Sequence, residues 1–166
     1  MQKDQLVALV TSSFPTNPLP QAFFWSKTLD DLTGDIPLSL SNGIKNRPWD
    51  QVTLLDWAMI GTPPVTVRDY FDPAAFLYYL PSLFLGVLQD PRYMDFALDC
   101  MVPFNQKRVR RGEWWEIFEA SITDAQRKAG FAFLQYVLDN YDLGDADAAT
   151  HAVACVIWGN DQTDRH

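Results

Sequence analysis

The sequence predicts an all-α fold, a bundle of five to seven helices with a kinked aromatic helix at its centre. Three observations carry that expectation. Residues 71–91, FDPAAFLYYLPSLFLGVLQDP, set Phe76, Tyr79, Leu80, Leu83, Phe84, Val87 and Leu88 on the i, i+3, i+4, i+7 repeat of a helix. Residues 122–143, ITDAQRKAGFAFLQYVLDNYDL, place a Thr123-x-x-Gln126 capping box ahead of a long apolar run. Convincing alternating strands are missing, and nothing repeats at a fixed period.

Taken in order, residues 2–12 form a short helix with Leu6, Val7, Leu9 and Val10 on its apolar side. The three prolines of FPTNPLP (14–20) cannot continue it. A main domain starts near Trp25, giving 1–24 as an N-terminal helix and loop, 25–160 as one helical domain and 161–166 as a tail. Ser26 to Leu32 reads as a helical turn, and the glycines and prolines from Gly34 to Pro48 as an irregular connection. Val52, Leu55, Met59 and Ile60 suggest a helix over 50–60 that stops at GTPP.

The central helix follows, with Asp72 as N-cap and Pro73 at its first position, where a missing N–H costs nothing. Pro81 frees the carbonyl of Leu77 and is expected to kink the helix without ending it, with the Ser82 hydroxyl as a candidate partner. Tyr79, Leu80, Phe84, Phe133, Leu134 and Val137 are the expected core. A short helix over 91–101 turns Phe96 and Leu98 to Met101 inward. The 123–140 helix and a last one capped by Asp145 and ending at Gly159 complete the chain.

Composition limits the function. The chain has 166 residues, 48% apolar, 14% aromatic and only 20% charged, which suits a folded domain with a sizeable core. Its net charge of −8 argues against nucleic acid and anionic membranes, both of which need Lys and Arg to displace counterions, and is compatible with a basic protein partner. The N-terminal apolar run, Leu6 to Val10, is too short for a secretory leader, and no uninterrupted apolar stretch approaches membrane length. The expectation is a cytoplasmic protein.

Catalytic signatures are absent: no HExxH, no phosphate-cradling glycine loop, no GxSxG elbow. Cys100 and Cys155 have neither CxxC spacing nor a histidine beside them and read as free, largely buried thiols. His151 reads as a structural helix residue. Asp95 and Asp99 lie one turn apart, as a solvated face would have them, with no histidine to complete a metal site. No catalytic residue, metal or cofactor is expected.

Two surfaces remain as candidates for partner binding. Asp139, Asp142, Asp145 and Asp147 fall within nine residues that hold no basic residue, and they flank a helix–helix turn. Arg108, Arg110 and Arg111 beside Trp114 and Trp115 form the alternative, a basic segment with aromatic faces for stacking.

Pro48-Trp49, then Phe71-Asp72-Pro73-Ala74-Ala75-Phe76 running into Tyr78-Tyr79-Leu80-Pro81, then Phe133-Leu134-Gln135-Tyr136 behind the Thr-x-x-Gln cap, occur in an order and spacing that resemble a bacterial family of helical domains of unknown function. That family's pattern is a tryptophan ahead of a PEAFRYYLPAFL helix and a later TPEQ…FLxYL helix, and the likeness spans about residues 28–140. Proteins similar to this one look like the protective partners encoded beside interbacterial toxins. The resemblance therefore implies a non-catalytic immunity protein that neutralises a toxin or effector. An adaptor with an endogenous partner is the alternative, followed by an enzyme or small-molecule binder with a pocket around Tyr78, Tyr79 and Trp114.

Overall fold

Helix α5 (Pro73–Gln89) is the axis on which the other elements are laid. It is capped as its sequence requires, the Asp72 carboxylate accepting from the Ala74 N–H at 3.0 Å, with Pro73 in the first turn. Twelve of its 17 residues are buried, so it meets protein on most sides. It is still too short to cross a membrane, and no helix among the described residues is long and apolar enough to do so. The helix runs unbroken through Pro81. The Ser82 hydroxyl does not serve the carbonyl that Pro81 frees; it donates to Tyr79 O and accepts from the Trp57 indole at 2.9 Å.

The computed structural model describes residues 1–103 and 112–159 of the chain. Within them the fold is all-α: α1 (Lys3–Ser13), α2 (Asp35–Gly43), α3 (Leu54–Ala58), α4 (Pro64–Val67), α5, α6 (Met94–Leu98), α7 (Gly112–Ser121), α8 (Asp124–Asn140) and α9 (Asp145–Gly159). Short 3₁₀ turns precede α3 and α5 and flank α6. The sole β feature among the described residues is an isolated bridge between Phe24 and Phe71.

Two aromatic clusters meet on α5. Near its N-terminus Phe76 packs edge-on against Trp57, Phe71 and Trp114, and Trp114 stacks on Phe118 of α7 at 5.2 Å. Nearer its C-terminus Phe84 stacks on Phe133 of α8 at 4.5 Å and meets Phe14 and Trp158 edge-on. One helix thus buries its rings against α7 at one end and against α8 and the end of α1 at the other, which is why its apolar residues are not confined to one stripe. The six expected core residues are all at most 1% exposed.

Indole N–H groups tie the outer segments to this core, since a buried tryptophan brings a donor that needs an acceptor. Trp49 donates to Phe14 O, Trp114 to Phe71 O and Trp158 to Met101 O, at 2.8, 2.7 and 2.9 Å. Helices α8 and α9 lie side by side, antiparallel. Trp158 sits on Gly130, and the Arg127 guanidinium donates to Ile157 O at 2.6 Å, at the negative end of α9.

The connections depart from the sequence reading. Residues 35–43, expected to be irregular, form α2, because Pro37 sits in the first turn, where its lost N–H is not needed. The expected single helix over 50–60 is instead a 3₁₀ turn and α3. Thr53 and Asp56 build a capping box that restarts the chain, turning Trp57 inward and leaving Leu55 and Met59 exposed. Helix α4 follows directly, Pro64 being its first residue, and Ser26 to Leu32 form turns without a helix. Leu138, part of the apolar run behind the Thr123 cap, faces solvent. Asp145 is the first residue of α9 rather than its cap; Gly144 O accepts the Ala148 N–H that closes the first turn.

Candidate functional site

Acidic residues from three elements meet at the start of α9. Asp139 lies in the last turn of α8, Asp142 between the helices, and Asp145 and Asp147 in the first turn of α9; the first three are exposed and Asp147 is half-buried. A carboxylate is favoured at a helix N-terminus and disfavoured at a C-terminus, so Asp145 and Asp147 are well placed and Asp139 is not. Helix α6 and the turn after it pack beside α9 and bring Asp95 and Asp99 to the same region.

Proximity shows in the protonation of two of them, Asp147 and Asp99. Burial, then the charge of Asp95, pushes the Asp147 carboxyl above its ordinary value. Asp99 is pushed up by burial, then by Asp95 and Asp147, with Arg68 partly opposing. None of the six carboxylates forms an ion pair among the described residues. No group of three His, Cys, Asp or Glu among the described residues is placed to hold a metal ion. The structure therefore joins Asp147 to Asp95 and Asp99, a convergence the sequence does not announce. The i, i+4 spacing of Asp95 and Asp99 was its one visible sign.

Trp114 and Trp115 of the alternative surface are 4% and 2% exposed. Their ring faces are occupied from inside: the guanidinium of Arg68 lies 5.1 Å from one ring and 5.4 Å from the other. Arg68 itself is 1% exposed and donates to Cys100 O at 3.2 Å and Val102 O at 2.8 Å. Burial pulls its pKa down, against the opposing effects of Cys100, Asp69 and Asp99. Arg108, Arg110 and Arg111 lie outside the described residues.

The cysteines do not make a nucleophile. Burial raises the Cys100 thiol to about 12 and also raises Cys155, which disfavours the thiolate in both. Cys155 does have a histidine nearby, His151, one turn away on α9. Its sulfur is 3.7 Å from Nδ1 and 3.9 Å from Nε2 of His151. Near-equal distances to both nitrogens mean that the sulfur is in line with neither lone pair. His151 is 5% exposed, and its Nε2 lies 2.7 Å from Leu134 O, so that nitrogen carries the proton and the ring links α9 to α8.

Of the pocket residues expected from sequence, Tyr78 lines a cleft among the described residues. It borders two adjoining depressions of about 210 and 500 Å³ formed with residues 14–22 and the start of α5. Tyr79 is buried, donates to Arg47 O at 2.9 Å, and has its phenol raised to about 12 by burial. A further cleft of about 320 Å³ lies between α1, the 49–54 segment and α5.

No curated protein and no solved structure matches the chain. A family model described as a family of unknown function, DUF6714, matches residues 41–161, from within α2 past the end of α9. The matched span covers most of the chain and all of the acidic region, and the chain belongs to that family.

Proposed function

We propose that this chain is a non-catalytic cytoplasmic protein that binds a basic protein partner, a toxin or effector domain that it neutralises as an immunity protein. The observation that carries the reading is the convergence of Asp95, Asp99 and Asp147, with Asp139, Asp142 and Asp145 beside them. Asp99 and Asp147, raised by burial and then by neighbouring carboxylates, and joined in no ion pair among the described residues, are held ionised at a cost in folding free energy that a partner bringing Lys or Arg would offset on binding. The net charge of −8 adds long-range attraction for such a partner. Thiols whose thiolate form is disfavoured and an imidazole committed to Leu134 O support binding over catalysis.

The test is to co-express the chain with the product of the reading frame beside its own and to measure growth. Rescue from a toxic product, lost in a variant carrying Asp→Asn at positions 95, 99, 139, 142, 145 and 147, is the expected result. A toxic neighbour that the unaltered chain fails to counter refutes the immunity role. An adaptor would bind a basic partner through the same face without any toxicity to counter.

A further inference from the structure

We propose that the cleft between α1, the 49–54 segment and α5 is a binding site for a short aliphatic chain ending in one cation, an alkylammonium group. The inference goes beyond the docking face and shares no residue with it. Val52, Leu54 and Leu85 supply apolar lining, beside Trp49 and Gly86. Thr11, Thr53, Ser82 and Gln89 add polar lining, and Asp50 is the only charged residue among those lining the cleft. The Asp50 carboxylate makes no ion pair or hydrogen bond among the described residues, whereas the other carboxylate of this segment, Asp56, is occupied by Arg47 at 3.0 Å and by the Thr53 cap. The chemistry is that of a lysine-like ligand, whose methylene stem lies along apolar surface while its charged head meets a carboxylate.

Size agrees. Pockets for drug-sized ligands run from about 300 to 1,000 Å³, so a cleft of about 320 Å³ suits a group of side-chain dimensions. Leu54 packs closely on α5 because position 86 is a glycine: a Cβ there would sit 3.1 Å from Leu54 Cβ and push that wall of the cleft outward. The Trp49 N–H groups are already engaged, the indole with Phe14 O and the backbone with the Tyr78 hydroxyl, and with the residue only 1% exposed the indole is a buried reporter beside the cleft that brings no competing donor.

Such a ligand can arrive free, as a small amine, or as a lysine side chain of another protein. The test follows the Trp49 indole N–H resonance in the full-length, isotope-labelled protein during titration with n-butylammonium, N-acetyl-lysine methylamide and n-butanol. For so few atoms the expected Kd is about 1 mM or weaker. Saturable shifts with butylammonium, absent with butanol and weakened several-fold by Asp50→Asn, are expected; Thr11→Trp, an exposed change at the rim, should block binding without unfolding the chain. Binding of the capped lysine as well identifies a side-chain site, and binding of butylammonium alone a free-amine site. No saturable shift, an equal response to butanol, or an undiminished response in Asp50→Asn overturns the proposal. These results are independent of the growth test, which alters none of the cleft residues.

Discussion

Gly130 of α8 and Trp158 of α9 occupy one another's space: a Cβ on Gly130 would lie 2.4 Å from the indole Cε3. Glycine in a helix ordinarily costs up to about 1 kcal/mol against alanine, so its presence in α8 marks the line where the two helices touch. Gly130→Ala should reverse the usual gain and destabilise the protein by about 1–3 kcal/mol through overpacking. Urea unfolding measures it directly. In a Trp158→Leu background the penalty should largely vanish, because the neighbour that creates it is gone.

Phe133→Ala tests the second aromatic cluster. The ring is fully buried and lies nearly parallel to Phe84 at 4.5 Å, so truncation leaves a cavity between α5 and α8. The expected loss is about 3–5 kcal/mol. A double-mutant cycle with Phe84→Leu should show a coupling of about 0.5–1.5 kcal/mol beyond the lost area. A near-neutral Phe133→Ala would contradict the central packing.

Arg68 is a buried cation with a structural task. It joins the turn before α5 to the carbonyls of Cys100 and Val102 and to the Trp114 and Trp115 rings of α7. Arg68→Met removes the charge but strands acceptors that have no water to turn to, so a loss of about 3–5 kcal/mol is expected. Arg68→Lys should recover little of it, since an ammonium cannot both stack on two rings and reach two carbonyls. Trp fluorescence should shift in both variants.

The raised carboxyls predict a pH dependence whose sign is opposite to that of an ion-paired acid. Asp99 and Asp147 have folded-state pKa values above the unfolded one. The native state therefore binds their protons more tightly, and each carboxylate destabilises it at pH above the folded value. That cost is relieved as pH falls through the folded pKa toward the ordinary aspartate value of about 3.9. Asp99→Asn should raise the Tm at pH 7, and its advantage should shrink on acidification and be gone near pH 4. An advantage independent of pH would mean that the cost of the ionised carboxylate, from burial and then from repulsion, is not its source.

What the sequence disclosed divides along local and non-local lines. Helices α5 and α8 were legible because their caps and periods lie within a few residues: Asp72-Pro73 and Thr123-x-x-Gln126 act on their own first turns. Helix α2 is hidden because Pro37 signals an interruption unless the helix start is known, and the apolar spacing over 50–60 misleads because the Thr53–Asp56 box restarts the chain within it. For Arg68 no local pattern marks a burial that depends on carbonyls 32 and 34 residues away. The acidic turn was visible as a run of aspartates, but its extension to Asp95 and Asp99 required the packing of α6 on α9.

The docking face itself gives the last prediction. If a basic partner is steered to it, association should slow steeply with added salt, because the attraction acts over a Debye length of about 10 Å at 0.1 M. A variant with Asp→Asn at positions 139, 142, 145 and 147 should bind far more slowly yet fold almost as well. The helix-dipole terms partly cancel: Asp139 stands at the unfavourable end of α8, while Asp145 and Asp147 stand at the favourable end of α9, each worth about 0.3–1 kcal/mol. Partial relief of the Asp147–Asp95 repulsion further limits the loss. The measurement is stopped-flow association with the toxic neighbour identified by the growth test, at several ionic strengths, beside a melting curve. A lower on-rate with a flattened salt dependence and a nearly unchanged Tm is expected. An on-rate equal to that of the unaltered chain at every ionic strength would remove the α8–α9 turn as the docking surface.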